Sequence, residues 1–330
     1  MPTSLFERIT QAHAAIRPQV LTTPLERSSA LSAGLGCDLL LKAEHLQPTG
    51  SFKVRGATNK IRLLDEAARR QGVITASTGN HGQAVARAGA LAGVPVTVYV
   101  AASTSRPKVE AIQRLGAELI VVEGAPLEAE LQARKRATAV GKTYVAPYND
   151  PDVMAGQGTL GIELAEQSPQ LDAVFIAVGG GGLIGGVGTA LKQLRPKTRI
   201  VGVWPENSPC LLRALEAGHL LDVPESPTLS DGTAGAVEPG SITFPICQTV
   251  IDQTVTVSEA EIAEAMRHVA AAEHWMIEGA AGVALAGLMK TAAKWRNRQV
   301  AVVLCGRNIA LETFLAAIGS ADSRHPSSGE

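Results

Sequence analysis

The residue types best suited to chemistry lie in Ser51-Phe52-Lys53-Val54-Arg55-Gly56-Ala57. Leu39-Leu40-Leu41 before it reads as a buried strand, and Pro48-Thr49-Gly50 breaks the chain. Ser51 is a suitable N-cap, and an apolar pattern through Ile61, Leu63 and Leu64 predicts a helix to about Arg69. Lys53 then falls in the first helical turn, where the backbone dipole disfavours a cation and Arg55 adds repulsion. Both effects lower the pKa of an amine, and imine chemistry needs the neutral amine. A lysine pointing into water is the competing explanation.

Three strand-to-helix turns could hold the rest of a site. Ser77-Thr78-Gly79-Asn80-His81-Gly82 opens a helix, so its N–H groups and hydroxyls suit an anion such as a substrate carboxylate. Gly179-Gly180-Gly181-Gly182-Leu183 costs much entropy to order, which is explicable where backbone closely approaches a phosphate. The same stretch fits G-x-G-x-x-G through Gly180, Gly182 and Gly185, with Glu206 after the next strand. A nicotinamide-dependent oxidoreductase therefore competes at this point. Cys305-Gly306-Arg307-Asn308 follows the last buried strand, Val300 to Leu304. No base accompanies Cys305, so a nucleophilic role ranks lowest there.

The elements that position these turns follow a rhythm. Strands at 73–76, 96–100 and 119–122 alternate with helices at 83–92, 106–115 and 126–140. Such alternation predicts βαβ units and parallel sheets, an α/β fold. Further on, helices at 154–166 and 185–194 and strands at 173–178 and 200–203 continue it. Residues 222–245 read as a long loop, Ser258 and Glu261 as a capping box, and 320–330 as a disordered tail. A chain of 330 residues is long enough for two domains. Its formal net charge of -1 gives no reason to expect a nucleic-acid or anionic-membrane partner. No apolar run is long enough to span a bilayer, and the N-terminus is not a secretory signal. Cys37, Cys210, Cys247 and Cys305 lack metal-like spacing, so a reduced cytoplasmic setting is expected. A homo-oligomer, dimer or tetramer, is expected as well.

Taken together, a lysine suited to an imine, a phosphate cradle and a carboxylate-binding turn describe pyridoxal phosphate and an amino acid. The motifs above, with Ala155-Gly156-Gln157-Gly158-Thr159, occur in one order. Over roughly Ile16 to Ile309 the chain resembles the threonine/serine dehydratase and serine racemase family, of the tryptophan-synthase-β fold type. The resemblance implies two open parallel-sheet α/β domains with pyridoxal 5'-phosphate in the cleft. The large domain comprises 1–70 and 149–330, and the small one 71–148.

By the same resemblance Lys53 holds the cofactor as an imine and later takes the substrate α-proton. Phe52 flanks the ring and Asn80 bonds its hydroxyl. Gly179, Gly180, Gly181, Gly182 and Leu183 hold the phosphate, and Cys305 faces the pyridine nitrogen. Ser77, Thr78, Asn80 and His81 bind substrate. Thr78 occupies the position of the proton-returning serine of racemases, but elimination is expected to dominate. Glu278 matches an acidic position near the site, and its bland role is helix capping. Relatives with a divalent-cation site have acids where this chain has Trp204 and Cys210, so no metal is expected. Arg307 departs from the usual glycine and predicts a cation at the site rim. The implied activity is a catabolic ammonia-lyase acting on a β-hydroxy amino acid such as threonine or serine. A racemase, and a dehydratase of 3-hydroxyaspartate or of a hydroxyectoine-degradation intermediate, remain as alternatives. Different in class are the oxidoreductase and a non-catalytic amino-acid sensor.

Overall fold

The computed structural model describes residues 3–319 apart from Thr78, Ser105 and Ala125. The expected disordered tail, 320–330, lies outside them.

Among the described residues ten strands form in chain order: β1 Leu25–Arg27, β2 Asp38–Lys42, β3 Val73–Ala76, β4 Val96–Ala101, β5 Glu118–Val122, β6 Thr143–Tyr144, β7 Ala173–Ala177, β8 Arg199–Pro205, β9 Gln253–Val257 and β10 Gln299–Val303. They make two sheets, one ordered β1-β2-β10-β7-β8-β9 and the other β5-β4-β3-β6. All pairings are parallel except β1 with β2. Helices cover parallel sheets on both faces, so their central strands are apolar throughout rather than alternating. Ala173 to Ala177 is buried at every position, and Val302 pairs with both Leu41 and Phe175. In both sheets the strands deliver their carboxyl ends to one cleft, where open α/β sheets bind ligands. β3 runs into the helix Asn80–Ala92, β7 into the helix Gly182–Leu194, and β10 into the 304–308 turn.

Helix Pro151–Gln167 is the hub between these ends. A Cβ at Gly156 would lie 2.5 Å from the carbonyl oxygen of Arg55, so helix Lys53–Arg62 packs backbone to backbone against it. A Cβ at Gly161 would meet the Val187 carbonyl at 2.7 Å, and one at Gly186 the Met154 carbonyl at 2.5 Å. The Ala155-Gly156-Gln157-Gly158-Thr159 stretch thus works through close helix packing.

Several boundaries differ from the sequence reading. Ser51 does not cap: Phe52 occupies the N-cap position without a side-chain bond, and Ser51 bridges to Gly306 instead. The helix stops at Arg62, and Asp65 caps a separate helix, Glu66–Gln71, through the Ala68 N–H. Asn80–Ala92 and Gly182–Leu194 each begin three residues before the expected start. Their first turns are polar or glycine-rich, so hydrophobic periodicity could not reveal them. The 258–261 capping box forms as expected.

Candidate active site

A cavity of about 790 Å³ opens where the two sheets meet. Phe52, Lys53, Ser77, Asn80, His81, Gly179 to Leu183, Glu278 and Cys305 all line it, brought together from five separate stretches of chain.

Lys53 projects from the first turn of its helix as expected. Its Nζ donates to the Pro147 carbonyl at 2.9 Å and stands 5.3 Å from the Phe52 ring centroid. Burial lowers its pKa to about 8, with Cys305 and Glu278 pulling the other way. The sequence reading assigned part of that shift to Arg55, and the structure corrects it. Arg55 is fully buried and its guanidinium turns toward two carboxylates. It bonds Glu44 at 2.7 and 2.8 Å and Glu163 at 2.6 and 2.8 Å. Lys42 completes a balanced cluster, 2.6 Å from Glu163. The cluster anchors β2, the turn after it, the start of the Lys53 helix and helix Pro151–Gln167 to one another.

The glycine loop is tight on every side. A Cβ would fall 2.8 Å from the Thr233 carbonyl at Gly179 and 2.6 Å from the Tyr148 ring at Gly180. Gly181 adopts φ +86°, a left-handed conformation that only glycine takes readily, and a Cβ there would meet Cys247 Sγ at 2.8 Å. No side chain caps the helix that starts at Gly182. Its N–H groups are left for an anion, and the donor set fits a phosphate.

Opposite the loop, Asn80, Glu278 and Asn308 form one network. Asn80 Nδ2 donates to both Glu278 oxygens, at 2.8 and 3.1 Å, and the Asn308 N–H donates to Oε2 at 3.0 Å. Asn308 Nδ2 donates to Asn80 Oδ1 at 2.5 Å. Glu278 occupies the N-cap position of helix Gly279–Thr291, yet its side chain makes no capping bond. The bland role is thereby replaced by support of Asn80. Burial, the largest influence, pushes the Glu278 pKa up to about 7 against the pull of Asn80.

That shift predicts a pH effect. Glu278 has a raised pKa in the fold, so its stabilisation is complete below about 4.5 and is lost as pH rises through about 7. Glu278→Gln is expected to flatten the decline in cofactor-free stability across that window, by about 3 kcal/mol in all. Parallel declines in denaturant titrations of both proteins from pH 4.5 to 8 would sink this expectation.

Cys305 is buried, and desolvation raises its pKa, so it faces the cavity as a neutral thiol. His81 Nε2 lies 3.0 Å from the Val145 carbonyl and must donate to it. Burial holds the ring neutral, with a pKa of about 3. Nδ1, buried without a partner, is then an acceptor, so the ring cannot itself bond a carboxylate. Ser77 lines the cavity, and its Oγ accepts from the Gly79 N–H at 3.2 Å. Thr78 lies outside the described residues.

Arg307 and Glu206 do not fall where the sequence suggested. Arg307 is exposed and does not line the cavity; Asn308 does. Glu206, the candidate ribose-binding acid, reaches Lys290 at 3.4 Å on the outside, which removes the support for a dinucleotide site. Trp204 is fully buried in the core and Cys210 is also buried. Among the described residues no three His, Cys, Asp or Glu side chains are grouped to hold a metal ion. The sequence reading missed Tyr148, Lys108, Arg134, Asp231 and Glu238, which all line the cleft. The one signal for two of them was the 222–245 loop, too long to lack a function.

The chain was compared with known proteins. A family profile described as pyridoxal-phosphate dependent enzyme matches residues 16–306. The chain is 39% identical over 304 residues to an L-threonine ammonia-lyase of Thermotoga maritima, covering 92% of this chain and 75% of that one. It is 33% identical to an L-threo-3-hydroxyaspartate ammonia-lyase of a Pseudomonas species, covering 96% and 99% respectively. The structure superposes on the processed form of threonine deaminase isoform 2 from Solanum lycopersicum with a TM-score of 0.92, at 33% identity, covering 96% and 93%.

Proposed function

We propose, from the premise that this chain belongs to the pyridoxal-phosphate-dependent enzyme family and is an ammonia-lyase within it, that its substrate is a neutral β-hydroxy amino acid such as threonine or serine. The observation that carries the reading is the Lys53 amine, buried with a pKa near 8 in the same cleft as an uncapped glycine cradle. When bound, pyridoxal phosphate supplies an electron sink for the bond broken at the substrate Cα.

The chain's own residues do the rest. Gly179 to Gly182 and Leu183 would hold the phosphate through backbone N–H groups. Phe52 covers one side of the site. Asn80, held by Glu278 and Asn308, would bond the ring hydroxyl. Cys305, a neutral thiol lining the cleft, would face the ring nitrogen without forcing a proton onto it. The 77–81 turn presents backbone donors at a helix N-terminus to the substrate carboxylate. Lys53 takes the α-proton, and its pKa near neutrality suits both receiving and returning one. One water leaves from the β-carbon and one is taken up in hydrolysis, so the net products are a 2-oxo acid and ammonia.

We read the chain as two domains, 1–70 with 149–330 and the smaller 71–148, a reading that the division into two sheets supports. We read the protein as a cytoplasmic homo-oligomer; none of its described helices is long and apolar enough to cross a membrane. The test is a panel of threonine, serine and 3-hydroxyaspartate, both enantiomers of each, assayed for 2-oxo acid and for inversion in deuterated water. Threonine or serine should release 2-oxo acid faster than either is inverted. Faster inversion would make the enzyme a racemase, and release from none of the six would reject the reading.

A further inference from the structure

The mouth of the cleft carries charges that the reaction above does not use. Lys108, in helix Arg106–Gln113, meets Asp231 of the 218–242 loop at 3.0 Å. Arg134, in helix Pro126–Val140, meets Glu238 of the same loop and Glu130 of its own helix, both at 2.9 Å. Two of the loop's backbone contacts seat its second half over the cleft. The Glu238 N–H donates to the Tyr148 hydroxyl at 3.0 Å, and the Ile242 N–H to Asn149 Oδ1 at 2.9 Å. Tyr148 in turn lies on the glycine loop. Glu238 is therefore held over the phosphate end of the cleft. Asp231 lies toward the Glu278 end, because its neighbour Gly232 sits against Glu278.

Every cation lining the cleft other than Lys53 already has a carboxylate from this chain. The lining also holds Asp222, which makes no ion pair among the described residues, and buried Glu278. In all, acids outnumber bases there by five to three. Arg307, the cation expected at the rim, is outside. An incoming amino acid thus finds donors for one carboxylate, at the 77–81 turn, and no free cation for a second. Low-dielectric walls amplify that sign of charge.

We propose that Asp231 and Glu238 are specificity-determining residues. By neutralising Lys108 and Arg134 they turn away amino acids with a second carboxylate and leave neutral β-hydroxy side chains as substrates. This rests on the ammonia-lyase reading and narrows its substrate class. The pairs are part-exposed, so each adds little to stability. Their effect falls on which anion is tolerated near them.

The experiment compares holoenzymes of wild type, Glu238→Gln, Asp231→Asn and the double variant. It measures kcat/KM for threo-3-hydroxyaspartate and for threonine at low ionic strength. The hydroxyaspartate-to-threonine ratio should rise about tenfold or more in the double variant. In wild type the preference for threonine should shrink as salt is added. A double variant that turns over threonine with an unchanged ratio overturns the proposal, as does a wild type that prefers hydroxyaspartate. A second measurement needs neither turnover nor a folded variant: binding of succinate against butyrate to the wild-type holoenzyme, read in the cofactor absorbance. Butyrate should bind at least as tightly, and tighter succinate overturns the proposal. If no amino acid yields 2-oxo acid, the ammonia-lyase reading fails, and the succinate comparison still decides whether the cleft rejects a second carboxylate.

Discussion

Lys53→Ala is expected to lower kcat/KM for the best β-hydroxy amino acid by more than about a thousandfold, the scale of a lost acid–base group. The pKa of Lys53 is about 8 because burial disfavours its charged form, and in the cleft no other amine stands beside it. Lys108 is paired with Asp231 at the mouth and cannot substitute. Stability should move the other way or hardly at all. The variant loses the hydrogen bond to the Pro147 carbonyl but also loses an amine whose charge is costly to bury. The check is steady-state kinetics beside a denaturant titration, with borohydride reduction of the wild type followed by mass spectrometry of the Lys53 peptide. Residual activity within tenfold of wild type, or a cofactor fixed on another lysine, would displace Lys53 from its role.

Arg55→Leu, two residues along the same helix, is expected to do the reverse. It should destabilise the protein by about 3–5 kcal/mol, since two carboxylates stay buried with only Lys42 between them. Glu44 and Glu163 are both essentially inaccessible, and Arg55 makes four of its hydrogen bonds to them. Double substitution to Arg55→Leu with Glu44→Gln should recover part of the loss, because one orphaned charge is gone. A single-variant loss under 1 kcal/mol would mean that water or a rearranged Lys42 reaches the cluster.

These two residues show what was legible in the sequence. Lys53 was found because helix position and residue type clash there, a local property. The role of Arg55 was misread because its partners lie 11 and 108 residues away, and residue type alone cannot show where a guanidinium turns. The glycine loop, the 77–81 turn and the alternating elements were readable for a similar local reason: periodicity and turn chemistry span fewer than twenty residues. Glu278 was placed near the site with helix capping as its bland alternative, because the N-cap position is visible in sequence and its contact with Asn80, 198 residues off, is not. Short β1 and β6 escaped for want of length, since two or three residues carry too little pattern to distinguish a strand from an extended loop, and β9 escaped because Gln253-Thr254-Val255-Thr256-Val257 has no apolar run. The cleft-mouth charges were unreadable for a different reason. A charged residue on a helix face is ordinarily solvated, and only the fold turns Lys108 and Arg134 toward the loop that neutralises them.

The seam of glycines along helix Pro151–Gln167 has one more consequence. Gly156 sets the approach of the helix that bears Lys53, and Gly161 and Gly186 set that of the helix that begins in the phosphate cradle. At these glycines main chain meets main chain, with no side chain at the contact to change rotamer. The distance from amine to cradle is therefore a gauge cut into the backbone. Warming that loosens side chains elsewhere leaves such a gauge true, so the reacting groups should hold their spacing until the whole unit melts. A single methyl at Gly156 or Gly186 would recut it, moving one end of the site against the other by the width of an atom.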